Sequence, residues 1–251
     1  SISDNDEGRF VATEIAEKKL SFQLNNGDFA ILYRTNAQSR AFEEALRRQN
    51  IPYRVYGGLS FYQRKETKDM IGYLRLVVNP NDEEALKRVI NYPTRGIGKT
   101  SLDKLIVLAD QHDTTLWEVI NQIGQYNFGS GANKISDFAT LIKSFQALEK
   151  RSNAYDLAMH IAKHSGMHQA LYSDKTVEGV SRYQNLEELL NAIKEFTEND
   201  ELIEGEELTN DKSLGSFLQN VALLTDADND KDPENADKVV LMTVHQAKGL
   251  E

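Results

Sequence analysis

Apolar and polar positions alternate with two different periods along this chain. Two short apolar runs, 29–33 and 53–56, have strand length, and each precedes a segment with helical spacing of its apolar residues, 38–49 and 64–77. A further helical pattern over 7–20 comes before the first run. The order strand, helix, strand, helix predicts a right-handed parallel unit at the start of the chain.

A third apolar run, 239–244, lies at the end of the chain and is typical of a strand buried in a parallel sheet. The 159 residues from 79 to 237 separate it from the preceding helix, far more than a crossover connection needs. We therefore expect an α/β domain made of 1–78 and 238–251, interrupted by an all-helical inserted domain over 79–237. Because no crossover helix follows the last strand, we expect the sheet to be unfinished and the chain to be a piece of a larger protein.

Helical periodicity recurs throughout the insertion, without an internal repeat. Thr115 and Glu118 have the spacing of a capping box, which predicts a helix start. The predicted helices cover 82–91, 100–110, 115–123, 132–150, 153–165, 178–198 and 212–224. Two acidic segments, 198–211 and 226–237, are interpreted as loops or hinges.

Charge is distributed unevenly. The net charge of −10 argues against a nucleic-acid binder, but residues 34–104 carry 14 Lys and Arg against 8 Asp and Glu, a net of +6, which leaves −16 elsewhere. A basic face and a solvated mixed-charge surface both fit this count. The absence of cysteine excludes disulfides and thiolate metal sites and suits a reducing cytoplasm, and no apolar run approaches a membrane span. We expect a cytoplasmic protein that does not enter a membrane.

Polar residues and glycines follow each predicted strand at its carboxyl end. They are Arg34 and Asn36 after the first strand, Gly57 and Gly58 after the second, and His245 and Lys248 after the third. The carboxyl ends of parallel strands meet at one edge of the sheet, where ligands bind. Arginine, asparagine, histidine and lysine supply donors for phosphates and bases, and glycine allows close approach of a backbone. The sequence therefore predicts a nucleic-acid site at this edge.

A second candidate site lies between the first two helices of the insertion. Its residues are Arg95, Gly96, Ile97, Gly98, Lys99 and Thr100. Two helices joined by Gly-Ile-Gly have the shape of a helix–hairpin–helix, in which backbone N–H groups and a helix N-terminus hold a phosphate without reading sequence. Arg95 and Lys99 would add positive charge. A plain interhelical turn fits the same residues.

Three further patterns are not interpreted as sites. A Walker A loop would need a glycine where Pro93 stands, and no strand precedes it. His160, His164 and His168 have helical spacing, but Gly166 is expected to end the helix before the third, and no carboxylate or thiol completes a zinc site. The start of an EF-hand over 226–230 lacks the required glycine and final glutamate. We expect no metal site and no catalytic residue.

Three segments resemble superfamily 1 DNA helicases of the UvrD/PcrA/Rep family. Residues 28–40 (DFAILYRTNAQSR) resemble the segment that opens the second motor domain, 57–69 (GGLSFYQRKETKD) resemble the next conserved block, and 243–251 (TVHQAKGLE) resemble motif V. The matches occur in the family's order and span the chain. The resemblance implies a partial second RecA-like domain with the helical subdomain that this family inserts there.

The resemblance also implies roles for particular residues. Arg34, Asn36 and His245 would contact single-stranded DNA, and Lys248 would contact the strand backbone or support the strand end. Glu251 would hold the nucleotide ribose. The family uses the hairpin block to grip duplex DNA. The partners implied are single-stranded and duplex DNA and the first RecA-like domain of the same parent chain, with ATP and Mg²⁺ as cofactors of the whole enzyme.

We therefore expect a fragment of an ATP-dependent DNA helicase or translocase acting in repair or replication. The family's Walker A and B motifs would lie before Ser1 and after Glu251, so we expect the fragment alone to bind no nucleotide and hydrolyse no ATP. One alternative is a non-catalytic helix–hairpin–helix DNA-binding module with no role for residues 34–36. Another is the motor part of a helicase–nuclease subunit.

Overall fold

The three apolar runs form one parallel sheet in the computed structural model of the chain, which describes residues 4–198, 211–226 and 237–250. The strands are Ala30–Tyr33 (β1), Tyr53–Val55 (β2) and Val239–Thr243 (β3). β3 lies between β1 and β2 and is parallel to both, with Ala30 beside Val240 and Tyr53 beside Val239. The predicted parallel sheet is confirmed, and the strand that comes last in sequence is central.

The central position of β3 is reflected in the burial of its side chains. Val239 and Leu241 are completely buried, and Met242 is nearly so. β1 instead alternates, with Ile31 and Tyr33 buried and Leu32 half exposed. The apolar side chains of β3 gain free energy because neighbouring strands and helices cover them.

The described chain divides into two compact units. The first takes in Ser1–Thr67, Ser181–Glu188 and Asn220–Glu251, and the second takes in Lys68–Val180 and Leu189–Gln219. Helices of the first unit are Asp4–Phe22 (α1), Ser39–Arg48 (α2) and Val244–Lys248 (α12), joined by the beginning of Lys65–Val78 (α3), the middle of Val177–Glu198 (α10) and the end of Leu214–Asp226 (α11). The first unit is thus α/β, as predicted.

The core of the first unit lies between the sheet and the pair α1 and α2. Ile15 of α1 and Phe42 and Leu46 of α2 pack with Ile31 and Leu241 of the sheet. The two helices approach closely at Gly8, where an added Cβ would lie 2.5 Å from the carbonyl oxygen of Ala41. Gly8 is therefore required for this packing, since any side chain would push the helices apart.

A buried ionic network ties α2 to α10 within the first unit. Arg40 is 1% exposed; its Nε donates to Glu188 Oε1 at 2.6 Å and its Nη1 to Glu44 Oε2 at 3.2 Å. The Tyr62 hydroxyl donates to the other oxygen of Glu44 at 2.8 Å. Burial alone would lower the pKa of Arg40, but the two carboxylates outweigh it and raise the pKa, so the guanidinium stays charged. Removing one member of such a buried pair costs about 3–5 kcal/mol.

Glu43 of α2 binds the start of the short 3₁₀ helix Phe61–Gln63. Its carboxylate accepts hydrogen bonds from Ser39 Oγ at 2.7 Å and from the Phe61 N–H at 3.1 Å. Only 1% of Glu43 is exposed, and burial raises the pKa of its carboxyl to about 7, although Ser39 and Arg64 oppose the shift. Glu43 therefore titrates near neutrality.

The second unit is entirely helical among the described residues. Beyond parts of α3 and α10, its helices are Glu83–Val89 (α4), Lys99–Gln111 (α5), Leu116–Asn121 (α6), Ala132–Glu149 (α7), Ala154–His164 (α8), Met167–Ser173 (α9) and the beginning of Leu214–Asp226 (α11), up to Gln219. Its core includes Phe138 and Phe145 of α7 and Ile161 of α8, all at most 1% exposed. The helical character predicted for the insertion is confirmed.

Local signals place several helix ends in the second unit. The predicted capping box is present: Thr115 Oγ1 accepts from the Glu118 N–H at 3.2 Å, and the Glu118 carboxylate accepts from the Thr115 N–H at 3.3 Å. Gly166 has a φ of 84° and separates α8 from α9. The short helix α9 was not predicted, because only seven residues between a glycine and Asp174 leave too little periodicity to recognise.

In the described part of the chain, no helix is both long and apolar enough to cross a membrane.

We expect the change Glu43→Gln to flatten the dependence of stability on pH. The folded-state pKa of Glu43 is raised from 4.5 to about 7, so its contribution is complete below pH 4.5 and is lost as the pH rises through 7. This loss is at most about 3 kcal/mol. Glutamine cannot ionise but keeps an oxygen acceptor for Phe61. Urea unfolding of both proteins at pH 5, 6 and 8 measures the difference; parallel pH profiles would show that another group titrates.

Candidate nucleic-acid interface

The loop after β1 presents Arg34 and Asn36 to solvent on a well-defined backbone. Both side chains are exposed. The side-chain oxygen of Gln38 accepts from the N–H groups of Arg34 at 2.9 Å and Thr35 at 3.0 Å. Thr35 and Gln38 form the capping box of a short 3₁₀ helix, Asn36–Gln38. The loop backbone is therefore held by its own polar groups, while the two predicted contact residues point outward.

The turn after β3 is built in a similar way. Thr243 caps α12: its Oγ1 accepts from the Gln246 N–H at 3.2 Å, and Gln246 Oε1 accepts from the Thr243 N–H at 2.8 Å. His245 and Lys248 are exposed on this helix. The capping box fixes where the strand ends, and so it fixes where these two side chains leave the sheet.

The loop after β2 meets this turn. Gly57 has a φ of 65°, and a Cβ built on it would lie 2.9 Å from Nε2 of Gln246. Helix α12 also contacts β1. The segments that follow all three strands thus lie together at the carboxyl edge of the sheet, which is the arrangement the sequence predicted. Glycine is needed at position 57 both for its positive φ and for the approach of Gln246.

Sequence reasoning missed Arg64, which lies beneath this edge. It is 8% exposed, and Nη1 donates to the Asn36 carbonyl at 2.7 Å while Nη2 donates to Ser39 Oγ at 2.7 Å. Burial lowers the pKa of the guanidinium, and the nearby carboxylate of Glu43 opposes that shift. The only sequence feature that marked Arg64 was its position in the segment 57–69, which resembles a conserved block of the helicases.

The hairpin belongs to the second unit and connects α4 with α5. The Asn91 side-chain oxygen accepts from the N–H groups of Arg95 at 2.9 Å and Ile97 at 3.0 Å. Ile97 is 3% exposed, so its side chain anchors the loop in the core. Two of the hairpin N–H groups that were predicted to hold a phosphate are therefore already bound by Asn91.

Arg95 also differs from its expected role of facing a phosphate. Its Nη1 donates to the carbonyls of Val89, Tyr92 and Pro93 at 2.9–3.2 Å, and its Nη2 donates to the Ser165 carbonyl at 2.8 Å. The guanidinium also lies over the rings of Tyr73 and Phe138. The Arg95 side chain is therefore held by carbonyl oxygens inside the second unit and is not directed at a phosphate.

The outward side of the hairpin consists of Gly96, Gly98, Lys99 and Thr100, which are all exposed. Gly98 is the N-cap of the 13-residue α5, with an extended conformation (φ −80°, ψ −179°) and open space where a Cβ would be. Gly96 has a φ of 73°. A phosphate at the N-terminus of α5 could accept from the first N–H groups of this helix, with Lys99 beside it.

The patterns set aside earlier have ordinary surroundings in the structure. Helix α4, rather than a strand, precedes the segment that mimics a Walker A loop. The rings of His160 and His164 stack 3.8 Å apart, and His168 lies on the next helix. No group of three or more potential metal ligands occurs among the described residues. Glu251 and the segment 227–236 lie outside the described residues.

The basic surplus of residues 34–104 is only partly available at the surface. Arg40 and Arg64 are buried in the first unit, and Arg88 donates to the buried Asp69 at 2.9 Å in the second. Arg95 binds carbonyl oxygens. Counting charges therefore overstates the basic face, because only the exposed cations at the candidate sites can meet a phosphate.

Comparison with known proteins identifies relatives over the whole chain. Residues 2–251 match the family described as UvrD-like helicase C-terminal domain. DNA helicase II of Haemophilus influenzae is 38% identical over 257 residues, covering 100% of this chain and 34% of the relative. The ATP-dependent DNA helicase PcrA of Bacillus subtilis is 36% identical over 250 residues, covering 98% of this chain and 33% of the relative. The chain spans about a third of the length of the curated relatives it matches.

The two hairpin glycines should respond differently to alanine. We expect Gly96→Ala to destabilise the chain by about 1–2 kcal/mol, because its φ of 73° strains an L-residue. Gly98→Ala should change stability by less than about 0.5 kcal/mol, since a poorer N-cap is offset by a less flexible unfolded chain. Urea unfolding of both variants at one pH measures this. Equal losses would mean that the positive φ at position 96 is not required.

Proposed function

Because this chain belongs to the UvrD-like helicase C-terminal domain family, we propose that it is the part of an ATP-dependent DNA helicase or translocase that contacts DNA. The observation that carries this proposal is the meeting of three polar segments at the carboxyl edge of one parallel sheet. Arg34, Asn36, His245 and Lys248 are exposed in these segments. The names of the relatives, DNA helicase II and PcrA, support the same activity for the whole protein.

The four side chains would act on single-stranded DNA in different ways. Arg34 and Lys248 would pair with phosphates, Arg34 with two parallel hydrogen bonds and Lys248 as a point charge. The Asn36 amide offers both a donor and an acceptor to a phosphate, a sugar or a base edge, and His245 offers a ring nitrogen. Contacts to phosphates and sugars position a strand without selecting its sequence, as movement along DNA requires.

The hairpin would hold duplex DNA separately. The first N–H groups of α5, with Gly98 open above them and Lys99 beside them, would bind one backbone phosphate. Arg95 and Ile97 would shape the hairpin from inside, through the contacts described above. Thr100 would add a hydroxyl near the same phosphate.

In the whole protein we propose that residues 1–78 and 238–251 belong to the second RecA-like domain and 79–237 to its inserted subdomain. ATP and Mg²⁺ would bind against the first RecA-like domain of the parent chain, and hydrolysis would supply free energy for movement along DNA. Glu251 would contact the ribose. This chain alone would not hydrolyse ATP, since its one segment that mimics a Walker A loop has Pro93 where glycine is needed and follows a helix. Work on DNA in repair or replication would place the protein in the cytoplasm.

Loss of the strand contacts should weaken single-strand binding. In the full-length protein, replacing both Arg34 and Asn36 with alanine should reduce affinity for single-stranded DNA by about 1–3 kcal/mol, since each residue would make a charge-assisted or amide contact. Arg48→Ala is the matched control, because Arg48 is exposed at the far end of α2 from the sheet edge. Fluorescence anisotropy at moderate salt measures both. Unchanged affinity in the double variant would refute the proposed strand contact and favour a module that binds through its hairpin alone.

The hairpin should affect duplex binding selectively. Lys99→Ala should lower the slope of log affinity against log salt by roughly 0.9 if one phosphate contact is lost, and Gly98→Val should impair duplex binding and unwinding by filling the open space. ATPase activity stimulated by single-stranded DNA should persist in both. Lys163→Ala, an exposed lysine on α8, is the control. Equal loss in the duplex and single-strand assays would mean that the hairpin is only structural.

A further inference from the structure

Arg64, which immediately precedes α3, makes polar contacts with several separate segments of the first unit. Besides the Asn36 carbonyl and Ser39 Oγ, its Nη1 donates to Asn185 Oδ1 at 2.9 Å, and its Nε lies 3.4 Å from the Leu59 carbonyl. The guanidinium lies 5.4 Å from the centre of the Phe61 ring. One side chain thus joins three separate stretches of the first unit: the loop after β1, the loop before α3 and the middle of α10.

The contact with Asn36 is made to the backbone, while the Asn36 side chain is exposed. Gln38 holds the same loop from within by binding the N–H groups of Arg34 and Thr35. Two N–H groups of this loop are therefore held by its own Gln38 side chain, and one carbonyl is held by the buried Arg64. A loop held this way presents its outward side chains without having to be ordered when a ligand binds, which lowers the entropy cost of binding.

From this geometry we propose that Arg64 is a positioning residue for single-stranded DNA. It holds the Asn36 backbone so that Arg34 and Asn36 face the strand, and at 8% exposure it makes no contact with DNA itself. The inference rests on the proposed DNA contact of this loop. Asn185 completes the arrangement: it accepts from the same Nη1 of Arg64 and donates through Nδ2 to Glu66 Oε1, so its own side chain is held in place.

A lysine at position 64 could not make the same set of hydrogen bonds. An ammonium group offers three donors from one point, whereas the planar guanidinium reaches the Asn36 carbonyl, Asn185 and Ser39 in fixed directions. Arg64→Lys keeps the charge near Glu43 but should release the Asn36 carbonyl. Asn185→Ala is a milder second variant, because it removes one acceptor and leaves the Arg64 side chain in place.

The experiment uses the full-length protein with two readouts. Hydrogen exchange should show faster exchange of the amides of residues 34–38 in Arg64→Lys, with the amides of α5 unchanged. The concentration of single-stranded DNA giving half-maximal ATPase activity should rise about tenfold, while kcat at saturating DNA stays within twofold. Asn185→Ala should move both readouts in the same direction by less. Arg88→Lys is the control, since Arg88 donates to the buried carboxylate of Asp69 but lies in the second unit.

A mutant cycle tests whether Arg64 acts through Arg34 and Asn36. In a protein that already carries Arg34→Ala and Asn36→Ala, Arg64→Lys should weaken activation by DNA by less than threefold, because both side chains that it positions are gone. A full tenfold effect in that background would overturn the proposal, as would unchanged exchange of residues 34–38 in both variants. If Arg34 and Asn36 prove necessary for binding while Arg64→Lys leaves activation unchanged, the positioning role alone fails. If the alanine double variant binds normally, the proposed function fails first.

Discussion

Two buried arginines determine the geometry of the first unit. Arg40 and Arg64 lie near the start of α2 and just before α3, and each binds partners from α10 and from the segment around α2. A guanidinium without its partners would be very costly to bury, so the carboxylates and amides that face it must occupy fixed positions. The backbone of the loop with Arg34 and Asn36 is held in place as well, since this loop connects β1 directly to the network and Arg64 binds its Asn36 carbonyl.

This design separates the groups that order the site from the groups that would bind. Gln38, Gln246 and Arg64 bind backbone or capping groups, while Arg34, His245 and Lys248 remain exposed. The hairpin repeats the division, with Asn91, Arg95 and Ile97 directed inward and Lys99 outward. In both places a polar side chain satisfies the backbone, so outward donors stay available for phosphates.

The predictable part of the structure depends on local patterns. Continuous apolar runs identified β1 and β3, and the spacing of Thr115 and Glu118 identified a capping box that is present. The direction of Arg95 could not be foreseen, because it depends on carbonyls of α4 and on Ser165, which is 70 residues away. The partners of Arg64 are equally remote, Asn185 lying 121 residues later. Sequence spacing indicates which residues follow a strand, but not which cation is drawn into the protein.

The central position of β3 has a consequence for the order of folding. Among the described residues, β1 and β2 pair with β3 and not with each other, yet β3 is made long after both. At roughly 5–20 residues per second, the ribosome needs on the order of 10–40 s between Val55 and Val239. During that time both early strands have open edges, and unpaired edges invite association with other chains. The helices of the second unit are stabilised by contacts between residues that are close in sequence, so they can form during this interval. The helical segment between β2 and β3 would therefore fold before β3 has been synthesised and the sheet can be completed.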